Sequence, residues 1–506
     1  MASTAPDATN HATNGATNDA TNRVERPSRV RYWVIFFAVT LSVITYIDRV
    51  ALSLSRAQVA RDLHLSDKQM GLAFGAFALA YALGEIPSGW MGDKWGPRRV
   101  LMRIVIWWSA FTALTGLTFN FISLYVTQLL FGAGEAGCYP NITRAFSNWL
   151  PRSDRVRAQG LLWMSGRWGG AVTPVLMAML FHYVSWRIAF CMFGLLGTVW
   201  AFAFYFWFRD NPRDKAGVNQ GELDLLKYNI MPSAHGSVPW GKFATSKTVW
   251  LLCGQYFALS FPWYFLITWA PTFIDERFHV NVNNSILLKS LPLFMGGVGS
   301  LFSGMISAPL THLTGNINKT RKILGCVGFS GACLSLVLAS YLREPWFAVS
   351  AVAFSSFCND LVMPTAWGTV MDVAGGYSGT LSGTMNMMGN LGGALYGPVA
   401  GMVLQLSHHN WDAVLLMGAA VYTTGVFMWL AMDPSTPIDQ PDAPQMQPWI
   451  PFAVIGILAA GLMYFIFSAA PGAGSLMPMF ESLAAGAVVG AGFGAWVRSA
   501  VPRSVA

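Results

Sequence analysis

Residues 89–99 read Gly89-Trp90-Met91-Gly92-Asp93-Lys94-Trp95-Gly96-Pro97-Arg98-Arg99. The stretch lies between two apolar runs, at about 69–90 and 100–119. Each is close to the ~20 residues that cross a bilayer core as a helix. Small residues allow a tight turn where two helices meet closely, and Asp93 with Arg98 or Arg99 can make a gating ion pair at the helix ends. A short, basic, glycine-bearing turn between two bilayer-length helices sets the kind of molecule this is.

The composition agrees. Charged residues make up 11% of the 506-residue chain, against about 25% in soluble domains. The hydrophobic set is 54%, with 21 Trp and 34 Phe, and mean hydropathy is +0.44. So little polar surface could not coat a globule of this size, and lipid must be the main solvent. The net charge is 32 − 24 = +8. In a membrane protein such an excess marks cytoplasmic loops before it suggests nucleic acid, and no nucleic-acid partner is expected. The six cysteines lie in apolar stretches with no ligand or disulfide spacing.

Further apolar runs lie outward from the turn. Six candidate spans occur by residue 208, at about 32–54, 69–90, 100–119, 121–148, 157–182 and 186–208. Six more follow at about 247–274, 286–311, 322–342, 346–371, 378–406 and 411–432. The expected organisation is a disordered cytoplasmic tail at 1–31, where Ala-Thr-Asn repeats give nothing to bury, and a six-helix half at 32–208. A polar central loop at 209–246, a second six-helix half at 247–432 and a Pro/Asp linker at 433–448 come next. An extra two-helix hairpin at 449–497 and a tail at 498–506 complete it. Arg98, Arg99, Arg152, Arg155, Arg157, Lys319, Arg321 and Lys322 fall on the side of the Arg-rich N-terminal tail. The positive-inside rule makes that side cytoplasmic, and the even span count brings the C-terminus there too.

Residues 89–99 resemble the Gly-x-x-x-Asp-x-x-Gly-x-Arg loop of the major facilitator superfamily, and the six-plus-six layout fits its parallel-repeat halves. Four further passages resemble the anion:cation symporter family within it. They are Tyr46-Ile47-Asp48-Arg49, Tyr81-Ala82-Leu83-Gly84-Glu85-Ile86-Pro87, Gly132-Ala133-Gly134-Glu135-Ala136 and Gly383-Thr384-Met385-Asn386-Met387-Met388-Gly389-Asn390. The resemblance covers roughly 32–432; the hairpin and the tail have no counterpart in it. It implies an all-α major facilitator fold with a hairpin appended, and a carrier of sugar acids or other organic anions. It also implies a multi-pass place in a bacterial inner membrane, and Glu135 as the proton-coupling residue. A monomer with lipid and a small organic anion as its partners is expected, with no cofactor beyond the coupling proton.

Ionisable groups inside spans cost about 2.5–3.5 kcal/mol each on insertion scales and persist where they face a cavity, pair, or snorkel. Arg103, Arg144 and Arg209 are near enough to span ends to reach the cytoplasmic interface, and Lys289 the opposite one. The interior set is Asp48, Arg49, Glu135, Arg167 and Asp360, with Glu85 in the inner half of its span. Adjacent on a helix, Asp48 and Arg49 point about 100° apart and serve different partners. Arg49 offers a planar fork for a carboxylate, and Asp48 can pair with a neighbouring helix or take a proton. Tyr81 either hydrogen-bonds a substrate hydroxyl or lines the cavity. Asn386 and Asn390, four apart on one face, either read hydroxyls or bond between helices. Asp360 is a cavity or coupling acid.

The resembling family often has an Arg seven residues before Glu135, and here that position is Gln128. Arg167, in the next span, is therefore expected to supply the missing charge as substrate ligand in one state and partner of Glu135 in another. The function expected is proton-coupled uptake of a sugar acid of hexuronate, aldonate or aldarate type. Export, sodium coupling or a transport-deficient sensor stay open. A sensor would want a large signalling module, and 209–246 is too small for one. An enzyme would want a metal or nucleophile cluster, which His182 alone does not supply. A Gly-rich phosphate loop for an ATP-driven pump is absent. No catalytic or metal-ligating residue is expected.

Overall fold

The computed structural model describes residues 25–227, 238–278, 282–438, 440 and 443–447. The described secondary structure is helical apart from one isolated β-bridge, Ser246 to Gln445. The first group of helices is α1 (Arg31–Asp62), α2 (Asp67–Trp95), α3 (Pro97–Thr115), α4 (Phe121–Glu135), α5 (Cys138–Trp149), α6 (Arg152–Tyr183) and α7 (Trp186–Trp207). Two short helices, α8 (Gln220–Leu226) and α9 (Trp240–Thr245), lie in the central loop. The second group is α10 (Lys247–Tyr264), a π-helical turn Phe265–Trp269, α11 (Ala270–Phe278), α12 (Val282–Thr314), α13 (Ile317–Tyr341), α14 (Pro345–Val373), α15 (Ser378–Leu406) and α16 (Trp411–Ala431). Among the described residues, seven helices are long and apolar enough to cross a membrane: α1, α2, α7, α12, α13, α14 and α16. At 1.5 Å per residue the 29 residues of α14 reach ~43 Å, beyond the ~30 Å hydrocarbon core. The rest are shorter or broken, or carry the charges and glycines of the interior.

The halves meet along two seams, α2 against α15 and α6 against α12. Small residues make the first seam possible. A Cβ on Gly89 would come within 2.2 Å of the Gly379 carbonyl oxygen, so only bare backbone fits there. In the first half α4 and α5 form one rod, interrupted at Ala136-Gly137. Gly137 sits at φ +82, and a Cβ there would also collide with Ser88 Cβ at 2.2 Å. The break leaves Glu135 as the last residue of α4, facing the interior.

Two expectations about segments change. Residues 25–31 are docked, although the sequence reads as tail through 31. The buried Glu222 carboxylate of α8 accepts from the Val30 and Arg31 N–H groups at 3.3 and 3.1 Å, and from the Ser28 hydroxyl. An acid from the central loop thus caps the start of α1. Residues 1–24 lie outside the described residues. The Pro/Asp stretch after α16 is a strap more than a free linker. Ile438 donates to the Val373 carbonyl at 2.9 Å and is 2% exposed, and Met446 donates to the Thr245 carbonyl at 2.7 Å. Burial disfavours charge on Asp433, but the Thr436 and Ser435 hydroxyls and N–H groups outweigh it and hold this carboxyl below its ordinary range. The hairpin expected at 449–497 and the tail at 498–506 lie outside the described residues.

A candidate anion site between the two halves

Arg49 and Glu135, 86 residues apart, meet in the interior. Arg49 Nε donates to Glu135 Oε1 at 2.5 Å. The guanidinium lies 4.4 Å from the Tyr81 ring centre and 5.7 Å from that of Phe77. The Arg49 side chain is 25% exposed while Glu135 is 1% exposed, so the acid is the more deeply buried of the two. Arg49 Nη2 and Glu135 Oε2 are buried and, among the described residues, have no hydrogen-bond partner. The guanidinium thus keeps an unspent donor that suits an oxygen anion.

Asp48 points elsewhere, as its position one residue earlier on the helix requires. It is 3% exposed, and neither carboxylate oxygen makes a hydrogen bond of good geometry; the Trp108 indole, also unsatisfied, lies alongside. Asp48 lines a cavity of about 30 Å³ with Thr112, Thr115 and Gln128, enough for a water molecule. Gln128 donates to Thr115 Oγ1 at 3.1 Å, and Asp48 has no salt-bridge partner among the described residues.

Across the seam, Asn386 of α15 donates to Glu85 Oε1 at 2.8 Å and to the Tyr81 hydroxyl at 3.3 Å. Asn390 turns back to the Asn386 carbonyl at 2.9 Å, and Tyr264 donates to its Oδ1 at 3.5 Å. The two asparagines therefore stand at different depths of one network. Glu85, 0% exposed, is a member that a reading by motif had left outside the site; its intramembrane charge was the signal.

Arg167 lies apart from Glu135. Its Nε and Nη2 donate to Asp360 Oδ2 and Oδ1 at 2.7 and 3.1 Å. The expected partnership with Glu135 is replaced in this state: Arg49 supplies the cation there, and Asp360 takes the Nε and Nη2 edge of Arg167. Arg144 also departs from expectation. It is 3% exposed, and its Nε lies 3.5 Å from Asp93 instead of reaching an interface.

The 89–99 turn works across the halves. Asp93 accepts from the Gly379 and Thr380 N–H groups at 2.9 and 2.6 Å and from the Thr380 hydroxyl at 2.7 Å. It therefore caps the N-terminus of α15, where the helix dipole favours an anion. The expected ion pair with Arg98 or Arg99 does not form. Gly96, at φ +84, turns the chain so that Arg98 runs back along α7 to the Tyr205 carbonyl at 2.9 Å, and Arg99 is exposed. Around the same end, Ser147 bonds Ser378 at 2.8 Å. Asp372 accepts from Arg155 at 2.6 Å and from Arg321, a cluster that the sequence presented only as loop charges.

The Asp93→Asn variant tests this closure. Hydrogen bonds to charged groups contribute ~1.5–3 kcal/mol each, so losing the charge should raise the population open at this end ~10- to 100-fold. A cysteine at Ser147, in a background without other reactive thiols, should be labelled correspondingly faster. Unchanged labelling would remove Asp93 from the latch.

A sequence model of the Major Facilitator Superfamily matches residues 38–397. The chain is 29% identical over 417 residues to the probable sulfoacetate transporter SauU of Cupriavidus necator, covering 82% of this chain and 96% of that one. It is 27% identical over 373 residues to the probable galactarate/D-glucarate transporter GudP of Escherichia coli, covering 69% and 82%. Among solved structures, the proton:xylose symporter XylE superposes with a TM-score of 0.64 at 12% identity, over 81% of this chain and 98% of that one. That likeness speaks for the fold alone. The match spans both seams and the interior charges, and the chain belongs to the Major Facilitator Superfamily.

Proposed function

We propose that this multi-pass transporter takes up a small organic anion, a sugar acid of hexuronate, aldonate or aldarate type, in symport with protons. Its place is a bacterial inner membrane, with both termini cytoplasmic and the monomer as the working unit. The observation that carries the reading is Arg49: a partly exposed side chain that holds buried Glu135 through Nε and keeps Nη2 unpaired among the described residues. The relatives' names point to organic acids as cargo, which suits such a fork.

With the 89–99 end taken as cytoplasmic, the bonds at Asp93, Ser147 and Asp372 close that side in the described state. A substrate carboxylate takes the unpaired Nη2 of Arg49 and draws the guanidinium from Glu135. Buried and without its counter-charge, Glu135 is neutralised by a proton. Asp48 is the second acceptor, reached through the small cavity beside it. Tyr81, Asn386 and Asn390 read hydroxyls. Release of anion and proton on the other side restores the Arg49–Glu135 pair, and the halves rock back.

Purified protein in proteoliposomes should concentrate a sugar acid under an inward proton gradient, and a protonophore should collapse the accumulation. Concentrative uptake that persists without a proton gradient would end proton coupling and point to sodium.

A further inference from the structure

Arg167 and Asp360 form a buried bidentate charge pair that joins the two halves. Arg167 is on α6 and Asp360 on α14. Their side chains are 3% and 0% exposed. Both carboxylate oxygens are engaged, at 2.7 and 3.1 Å. The remaining donor group, Nη1, bonds the Tyr46 hydroxyl at 2.8 Å, and the guanidinium lies 3.5 Å from the Trp263 ring centre.

As mere packing such a pair is a poor device. Removing two charges from water costs more than apolar residues of the same volume would, and the benefit of a buried pair is chiefly to specify an arrangement. Here the arrangement joins surfaces that must part in every transport cycle. The geometry is also that by which Arg receives a ligand carboxylate or sulfonate, two parallel N–H···O bonds in one plane. Asp360 therefore has the same chemistry at Arg167 that an anionic substrate group would have.

Its surroundings are closely packed and hold other donors for it. Gly296 and Gly297 of α12 face the pair. A Cβ on Gly296 would lie 2.9 Å from Asp360 Oδ2, and one on Gly297 would lie 2.4 Å from Trp168 Nε1. On its own helix, Asn359 donates to Asp360 Oδ1 at 3.0 Å. The Ser356 hydroxyl one turn earlier is buried and unsatisfied. Both donors remain for Asp360 when Arg167 turns away. Arg167 is also near Arg49 along α1: it bonds Tyr46, which lies three residues before Arg49 on one face. Two interior cations thus adjoin one face of α1, each held by an internal acid.

We infer that Asp360 is an internal counter-anion that occupies the Arg167 fork while the carrier is empty and yields it to the second anionic group of the substrate, so that the carrier selects organic dianions over monoanions. This rests on the organic-anion reading above. A dianion engages Arg49 with one end and Arg167 with the other, and opens the link between the halves. A monoanion fills Arg49 and leaves that link closed.

The test is calorimetric titration of the full-length protein in nanodiscs with two matched pairs, D-glucarate against D-gluconate and sulfoacetate against acetate. The wild type should prefer the dianion of at least one pair. A fork occupied ~90% of the time lowers apparent affinity ~10-fold, so Asp360→Asn should tighten dianion binding by about that factor. Arg167→Gln should bring the dianion-to-monoanion ratio within about twofold of one, the loss of one charge-assisted site. The double variant Arg167→Gln with Asp360→Asn leaves no unpaired buried charge, keeps the test alive should a single variant misfold, and should show the same collapse. A wild type without dianion preference, an Asp360→Asn variant that binds dianions more weakly, or an unchanged ratio in both Arg167 variants would overturn the inference and leave the organic-anion reading standing. Failure of the wild type to bind any of the four, and any sugar acid in a wider screen, would sink that reading and this inference with it.

Discussion

Glu135→Gln should abolish concentrative uptake while leaving exchange of substrate intact. The amide has nearly the volume of the carboxyl, and its carbonyl oxygen can still accept the Arg49 Nε bond now made at 2.5 Å. The fork keeps its orientation over the Tyr81 ring. What the amide lacks is a site for a proton. Counterflow, which needs binding and reorientation only, should fall by no more than about threefold, roughly 0.6 kcal/mol. Driven accumulation should drop to an inside-to-outside ratio of about 1, because Glu135 is the acid bonded to Arg49 and a proton on Asp48 is then no longer linked to substrate binding. The measurement is paired: labelled substrate against a proton gradient, and labelled against unlabelled substrate without one. If exchange disappears together with accumulation, Glu135 is a scaffold for Arg49 and the coupling role belongs to another acid. Asp48, with both oxygens unsatisfied beside a water-sized cavity, would be the next to test.

Much of this architecture was legible because lipid simplifies the sequence. Apolar runs of bilayer length give the spans, and each intramembrane charge stands out as costly. That cost is why Asp48, Arg49, Glu135, Arg167 and Asp360 could all be picked from the chain. Who pairs with whom was harder. Pairing depends on the rotation of each helix about its axis, and a 100° turn separates Asp48, facing Trp108, from Arg49, facing Glu135. Sequence gave Glu135 the cation of the next span, whereas folding gave it one from α1. The partner of Asp93 was out of reach for another reason. It is backbone, the N–H groups of Gly379 and Thr380 some 286 positions onward, and backbone donors look alike in every sequence. The signal lay in the small residues at Gly89 and Gly379, which leave two helix backbones close enough for one to cap the other. The Pro/Asp strap misled for a plain reason: composition reports solvation, and this strap hydrogen-bonds through its main chain.

The Arg49→Lys variant should insert and fold yet lose substrate binding. Lysine keeps the positive charge, so the coulombic hold on Glu135 largely survives and no buried acid is orphaned. It loses the planar fork, and with it the several directed N–H donors through which Arg49 can pass from Glu135 to a substrate carboxylate. It loses the stacking on Tyr81 as well, where the guanidinium now lies 4.4 Å from the ring centre. A compact ammonium must choose between Glu135, 1% exposed and always present, and a substrate that arrives from water. The internal acid wins that competition because it is already desolvated and tethered. Disrupting one partner of a buried, hydrogen-bonded charge pair costs about 2–5 kcal/mol. With charge retained the lower part of that range applies, and ~2–4 kcal/mol is roughly a 30- to 700-fold loss of affinity. Glu135→Gln combined with Arg49→Lys separates this competition from simple loss of geometry. Removing the competing charge should return part of the lost binding to the lysine. An Arg49→Lys variant within about threefold of wild type (~0.6 kcal/mol) would show that charge alone suffices and that the fork is not the substrate's seat.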